Sequence, residues 1–596
     1  MALELPKDYA VLENKIPYGG VGKHLASLAE HVAAGEGEMP LEELKPVLRI
    51  LLGCAQRAYD PTIRRHAVTI WNALVSKRMG KTVAQAGLAT LTAANKQCDD
   101  SGRTYLVFEW SCRLASAAAL GEGAPLEASL SKLAALQFSM FARILADTGK
   151  PDIAKAAAAK FSSLLVQKTH AKTAFGRYLD VLAGCSDAME VAGGAALLLG
   201  SKEAAAVKDR FLTLYKEKVV SATEGRDGRK AGPLATAAFA PLFKMMTHDD
   251  FAALVPDVCR VLRRTPELYM AHLAASIPHL SVDASRYVES FTTILVERLS
   301  SEALRADAVA LVTSLAAQSS DVSSLTALGS EVVKKVAGKG VRNWQERIGL
   351  AEGLRVLLTL PKGKGVAPLA EEALQPVAAL VDKEANDETK NTLLAVLGAC
   401  MRRTETLPAE AAKTLCKNFE SGSDSVRRAA LLCAAEALQA TELLAGAGGL
   451  VPSLCKVVQT AEKKPGLRGD AVHAALMLVK VAPHDPAAEA EMDKCKFWGY
   501  LTSPGSYFCA LPSLDGLGAG VGVALAGLAD AVLRDHQARF AKLRPEEKAV
   551  AYGLMAGVLA HVEYAVHSAA AAAMRRSHGG EPETVRGIVD GLHSLI

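Results

Sequence analysis

The sequence predicts an all-α protein whose helices are paired and stacked in one array. Three observations carry that prediction. Half of the 596 residues are hydrophobic but only 5% are aromatic, whereas strands favour aromatic and β-branched side chains. Ala and Leu, both strong helix formers, are the commonest residues. Apolar residues recur at helical spacing in segment after segment, without strand alternation and hairpin turns. At roughly 150 residues per domain, the length would hold about four globular domains or one array of small units.

Taken in order, the first 40 residues read as an N-terminal extension. The opening MALELPKDYAVLENK carries acidic residues and no apolar core, which is not the pattern of a signal peptide. The array is expected over 41–596. Leu41, Leu44, Val47, Leu48, Leu51 and Leu52 follow the spacing of a one-faced helix. A faint repeat follows. Asp60-Pro61-Thr62-Ile63-Arg64-Arg65-His66-Ala67-Val68 resembles Ser423-Asp424-Ser425-Val426-Arg427-Arg428-Ala429-Ala430-Leu431, and Leu304-Arg305-Ala306-Asp307-Ala308-Val309 is a weaker copy. Each has a turn residue, an apolar residue and an Arg, then small and apolar residues running into Leu74, Leu438 or Leu315. This resembles the start of the second helix of a HEAT repeat, where Asp or Ser caps the helix and Arg bridges to a neighbouring unit. The fold class is therefore an α-solenoid of HEAT-like helical repeats, an armadillo-like superhelix. At about 40–47 residues per unit, roughly 13 to 15 helical pairs fit.

Glycine-containing charged loops interrupt the array at 224–230, 334–342, 361–365 and 462–466, all too short to tether separate domains. The final segment, Val585 to Ile596, carries an apolar stripe with nothing after it. A terminal repeat needs a polar cap, so the array is expected to continue beyond this chain in a longer protein.

Composition excludes several function classes. Lys+Arg 68 against Asp+Glu 64 gives a formal charge of +4, nearly neutral for this length, so nucleic-acid binding would need a local basic face. The 11 cysteines are scattered singly, without zinc-ligand spacing, and read as buried reduced thiols of a cytosolic chain. The longest uncharged stretch, Gly516 to Ala529, has about 14 residues, against roughly 20 for a membrane span. Gly80-Lys81-Thr82 lacks the upstream glycine and the preceding strand of a phosphate loop, and Gly19-Gly20-Val21-Gly22-Lys23 is followed by His24 instead of Ser or Thr. His561 and His567 are six apart, too far for an i, i+4 metal pair. Glu42-Glu43 and Glu546-Glu547 suit helix starts. No catalytic residue, cofactor or metal is assigned, and the chain reads as a non-enzyme without a small-molecule substrate.

The basic glycine loops are the candidate binding elements. Glycine lets a backbone approach a phosphate and lysine supplies charge, so Lys334, Lys335, Lys339, Arg342, Lys362 and Lys364 are the candidate ribosome or RNA contacts. No aromatic residue interleaves with them, which argues against base stacking.

Several segments resemble, in order, the N-terminal region of general control nonderepressible protein 1. They include Pro233-Leu234-Ala235, the run from Ala240 to Phe251, Leu254-Val255-Pro256, Leu262 to Glu267, Leu280 to Tyr287, and the stretch from Ala316. Ile63 to Ala67 and Trp110-Ser111-Cys112 fit upstream, and Val472 to Leu478 with Phe497-Trp498 downstream. The resemblance is densest between Pro233 and Leu354, and Val566-His567-Ser568 departs from it where basic residues would stand. It implies a HEAT-repeat scaffold lying along cytosolic ribosomes. Such a scaffold activates the kinase of the initiation factor 2 alpha subunit in response to amino-acid starvation and ribosome stalling. An ABC-type partner and the kinase are implied only through segments that this chain does not match, so kinase activation by this chain alone is not expected. The alternative expectation is a HEAT-repeat adaptor or transport receptor that binds protein partners without ribosome contact. Six basic residues on one edge would favour RNA, and an apolar concave groove a peptide.

Overall fold

Asp60 shows how local chemistry starts an element. Its carboxylate accepts the backbone N–H of Thr62 at 2.8 Å and of Ile63 at 3.3 Å. Pro61 fills the first helical position, where its missing N–H costs nothing. Ile63, Ala67, Ile70, Trp71 and Leu74 then fall on the buried face of one helix. Such elements make up a computed structural model that describes residues 21–535 apart from 36, 58–59, 79, 121–124, 167–170, 222–231, 339–340, 342, 362–364, 405–406, 439–446, 503–507 and 509–518. It adds residues 542, 544–546, 548–549 and 552. The described residues are helices and turns without a strand, in two compact units, Met1–Ser290 and Phe291–Ile596.

The first unit contains α1 (Val21–Ala34), α2 (Leu41–Gln56), α3 (Pro61–Lys77), α4 (Lys81–Gln97), α5 (Ser101–Leu120), α6 (Pro125–Ala146) and α7 (Pro151–Val166). It goes on through α8 (Ala171–Gly184), α9 (Ala188–Leu199), α10 (Lys208–Tyr215), α11 (Gly232–Met245), α12 (His248–Arg264) and α13 (Pro266–Ser276). α1, α3, α5 and α7 pack successively as one layer, and α2, α4 and α6 as the other. α1 lies within the residues set apart as an extension, yet its Leu25, Leu28 and Val32 are buried and it packs on α3. Glu42 and Glu43 occupy the first turn of α2, where carboxylates suit the helix dipole. Between α3 and α5, Trp71 and Trp110 stack at 5.4 Å, and the Trp71 indole donates to the Trp110 carbonyl at 2.9 Å.

α9 comes unusually close to α6. A methyl group added at Gly193 would run into the carbonyl oxygen of Phe138, and one at Gly194 into the Phe138 ring. Only glycine lets the two backbones meet there.

Most of α14 (Val288–Leu299) belongs to the second unit, followed by α15 (Arg305–Gln318), α16 (Ser323–Ala337), α17 (Trp344–Leu358), α18 (Ala367–Lys383), α19 (Asp387–Met401) and α20 (Ala409–Phe419). Then come α21 (Asp424–Ala437), α22 (Val451–Lys463), α23 (Arg468–Val481), α24 (Pro486–Lys494), α25 (Phe497–Thr502) and α26 (Ala519–Asp535). α15, α17, α19, α21 and α23 form one layer, and α16, α18, α20, α22 and α24 the other. Two layers of alternating helices are the stacking expected of a helical-repeat solenoid.

Polar contacts measure the repeat. Lys77 donates to the Ala33 carbonyl 44 residues back, Thr389 to Trp344 45 back, and Ser330 to Glu372 42 ahead. These separations match the repeat length expected from the sequence. The bridging Arg is present as well: Arg427 Nε donates to Asp470 at 2.8 Å, 43 residues on, while Arg428 Nε lies 3.4 Å from the other oxygen. In the weaker copy Leu304 stands where a capping side chain would, and it makes no side-chain cap bond to α15.

Candidate functional site

Where a phosphate could sit at the start of α4, a carboxylate already sits. Glu38 accepts the Thr82 backbone N–H at 2.6 Å, and a side chain at Gly80 would collide with the Glu38 carboxylate. The protein thus fills this helix N-terminus with its own anion, which agrees with rejecting Gly80-Lys81-Thr82 as a nucleotide loop. Val21, Gly22 and Lys23 form the first turn of α1. Gly19, Gly20, Glu547, His561, His567, Cys509, residues 224–230 and the segment from Val585 lie outside the described residues. Among the described residues, no three His, Cys, Asp or Glu side chains gather as a metal site. No helix there is long and apolar enough to cross a membrane.

Of the six candidate contacts, Lys334 and Lys335 are described, both exposed in the last turn of α16. Lys339, Arg342, Lys362 and Lys364 lie outside the described residues. Lys334 bonds Glu331 at 2.8 Å, and that hydrogen bond holds its ammonium above the usual lysine range. Part of its charge is therefore already answered within α16. Gly338 and Val341 flank the first loop at the start of α17, whereas Pro361 and Gly365 flank the second beyond its end. A helix of 15 residues separates them, about 22 Å at 1.5 Å per residue. The two basic loops thus lie at opposite ends of α17.

An anchor that sequence reasoning missed sits beside the first loop. Arg347 NH1 donates to the Val341 carbonyl at 3.2 Å, and its Nε to Glu384 Oε2 at 2.7 Å. Glu384 Oε1 also accepts the N–H groups of Ala385 and Asn386, both at 3.0 Å. One arginine therefore ties the loop after α16 to the turn after α18. Four residues past the capping Asn343, Arg347 looks like any surface helix residue. Its partner lies 37 residues away.

α10, α11 and α13 share a buried polar chain. The Tyr215 hydroxyl lies 2.7 Å from that of Tyr269 and 2.8 Å from His272 Nε2, and His272 Nδ1 lies 2.8 Å from the Thr236 hydroxyl. Both phenols are fully buried and burial raises their pKa, so they stay protonated and donate. Lys216–Val220 continues α10 as a π-turn. Above it, Asp250 accepts from Lys208 at 2.5 Å and closes a capping box with Thr247. Burial pushes the Asp250 carboxyl up, but the Lys208 and Thr247 hydrogen bonds prevail and hold it below the usual range.

A cleft of about 610 Å³ lies between α6, α8 and α9, with Ser131, Arg177, Asp180, Cys185 and Glu190 in its lining. Asp180 is taken by Arg210 at 2.6 Å. Burial raises the Glu190 carboxyl, and the Cys185 thiol donates to the Val181 carbonyl at 3.3 Å. Asp180 and Cys185 are thus partnered from within the chain.

The helices around the buried polar chain and the first basic loop coincide with a recognised family segment. Residues 208–342 match the family described as "Stalled ribosome sensor GCN1 N-terminal". The chain resembles the GCN1 N-terminal region. The segments carrying the sequence resemblance, from Pro233 to Tyr287 and on from Ala316, fall in or overlap that match. Protein ILITYHIA of Arabidopsis thaliana is 24% identical over 297 residues, which is 49% of this chain and 11% of that protein. This chain therefore spans about a tenth of the curated relative's length. Among solved structures, Kap121p bound to Ste12p superposes over 98% of this chain and 65% of its own at TM-score 0.50 and 11% identity. Importin beta in an ammonium sulfate condition covers 98% of this chain and 79% of its own at TM-score 0.46 and 10% identity. The Kap121p likeness concerns the fold alone, a helical-repeat solenoid.

Proposed function

We propose that this chain is a cytosolic, ribosome-associated scaffold of the GCN1 type. Such scaffolds serve activation of the initiation factor 2 alpha-subunit kinase when amino acids are scarce or ribosomes stall. The match of residues 208–342 to a stalled ribosome sensor carries the reading. The contact we assign is the loop after α16, where Lys335, Lys339 and Arg342 would meet ribosomal RNA phosphates or an acidic ribosomal protein. The Arg347 anchor at Val341 supports this, because a tethered loop loses less entropy on binding. Lys334 contributes less, since Glu331 holds it. Lys362 and Lys364 form a second, separate contact on the loop after α17.

Sedimentation through a sucrose cushion with purified ribosomes tests both levels. The chain should pellet with ribosomes at about 50 mM salt and be released as salt rises, as phosphate contacts require. Remaining in the supernatant at low salt would overturn the ribosome reading. Lys335→Glu with Lys339→Glu and Arg342→Glu should weaken pelleting about tenfold or more. Unchanged pelleting of that variant would leave the scaffold reading intact but remove the assigned loop.

A further inference from the structure

The arginine of the recurring motif ends on two different partners. In the second unit, Arg427 reaches Asp470 on the next helix of its layer and Asp424 in its own first turn, so two carboxylates answer its charge. Arg64 holds the matching position in the run from Asp60 to Val68, with Pro61 where Asp424 stands. It too reaches the next helix of its layer, but meets a ring. Its guanidinium carbon lies over Tyr105 of α5, 5.5 Å from the ring centroid. That is within the range where an aromatic face attracts a cation. The first unit thus keeps the bridge and replaces its carboxylates by an aromatic face.

The surface around this pair is basic. Tyr105, Glu109 and Arg113 recur every four residues and form one stripe of α5, with Arg113 exposed at its far end. Lys160 of α7 pairs with Glu109 at 2.6 Å, so the carboxylate in that stripe is answered. Asp60, one turn before Arg64, is spent on the amides of Thr62 and Ile63. Arg65 is exposed beside Arg64. Among the described residues, no carboxylate forms an ion pair with Arg64, Arg65 or Arg113. Here is a local basic face that the near-neutral overall charge conceals. It also holds an aromatic residue, which the basic glycine loops lack.

We propose that this face of α3 and α5 binds single-stranded RNA. An unpaired base stacks on the Arg64–Tyr105 pair, and Arg65 and Arg113 take the flanking phosphates. A guanidinium is planar and more weakly hydrated than an ammonium, so it suits a base as well as a ring. Tyr105 already restricts Arg64, so less side-chain freedom is lost on binding. An acidic peptide would engage the arginines but leave the stack unused, and a duplex offers phosphates but no unstacked base. That the strand is RNA rests on the ribosome reading; the stacking site itself does not.

Fluorescence anisotropy of the full chain with labelled oligouridine, beside an abasic ribose-phosphate oligomer of equal length, tests this. Oligouridine should bind at about 50 mM salt and be released as salt rises. The abasic oligomer should bind about fivefold more weakly or worse, having phosphates but no base to stack. Tyr105→Leu should lose oligouridine to a similar degree, and Tyr105→Phe should retain it. Arg65→Glu with Arg113→Glu should weaken both oligomers alike. Equal binding of the two oligomers by the wild-type chain would overturn the stacking contact. That comparison needs no variant, so a folding defect in Tyr105→Leu leaves it decisive. Polyglutamate competing as strongly as oligouridine would overturn it in favour of a protein partner, and oligothymidine binding as tightly would overturn the assignment to RNA. None of these readouts involves ribosomes, so this contact and the pelleting result can fail separately.

Discussion

Arg427 is where a residue read from the sequence met its partner. Arg427 and Asp470 are nearly excluded from solvent, with side chains 8% and 1% exposed. A charge stripped of its partner in such a place is costly. Asp424 still touches Arg427 at 2.6 Å but is itself 75% exposed, so it replaces Asp470 poorly. Asp470→Asn should therefore cost about 3 kcal/mol, read as a lower urea midpoint of the second unit, while Arg427→Met with Asp470→Leu should recover most of it. A double variant no more stable than the single one would show that the clasp contributes net attraction. Asp250 gives a pH signature. Its folded-state pKa is depressed, so its contribution is fully present above about 3.9, the value in an unfolded chain. As pH falls below that, the unfolded chain takes the proton first, and the loss is complete once pH drops through the folded-state value. Midpoints measured between about pH 5 and 2 should fall less steeply in Asp250→Asn; parallel curves would contradict the assignment. Arg427 was legible because it sits in a recurring pattern, whereas Asp470, 43 residues on, carries no local mark.

The helices themselves were legible wherever one face is apolar, because the 3.6-residue period is written along the chain. Their closeness was not. Gly193 looks like a weak point in a helix until α6 is placed against it and the Phe138 carbonyl occupies the space of a side chain. Gly193→Ala should cost about 2–3 kcal/mol by forcing α9 away from α6. Gly53→Ala, in open space on α2, should instead be neutral or stabilise by up to about 1 kcal/mol. Equal thermal shifts for the two would mean that α9 relaxes freely. The basic loops show the same limit. They look like neighbours in sequence, but α17 lies between them, and a helix that reverses the chain moves successive loops to opposite ends.

At the scale of the whole chain, repeat length and fold class could be read because successive described helices pack in the same two-layer way. Contacts between same-layer helices fall 42 to 45 residues apart at Ser330–Glu372, Trp344–Thr389 and Arg427–Asp470. Function was legible only through likeness, since the motifs that carry it are packing and turn residues. One further regularity concerns how such a chain is made. Lys77 closes the end of α1 at the Ala33 carbonyl, Arg143 closes α4 at Asn95 and Cys98, and Arg403 closes α17 at Leu358. In each case a cation 44 to 48 residues later satisfies carbonyls that the earlier helix leaves open. During synthesis, then, a newly emerged helix stays unfinished until roughly one more repeat has left the ribosome. At these three repeats assembly acquires a direction, the earlier helix being sealed by the later one.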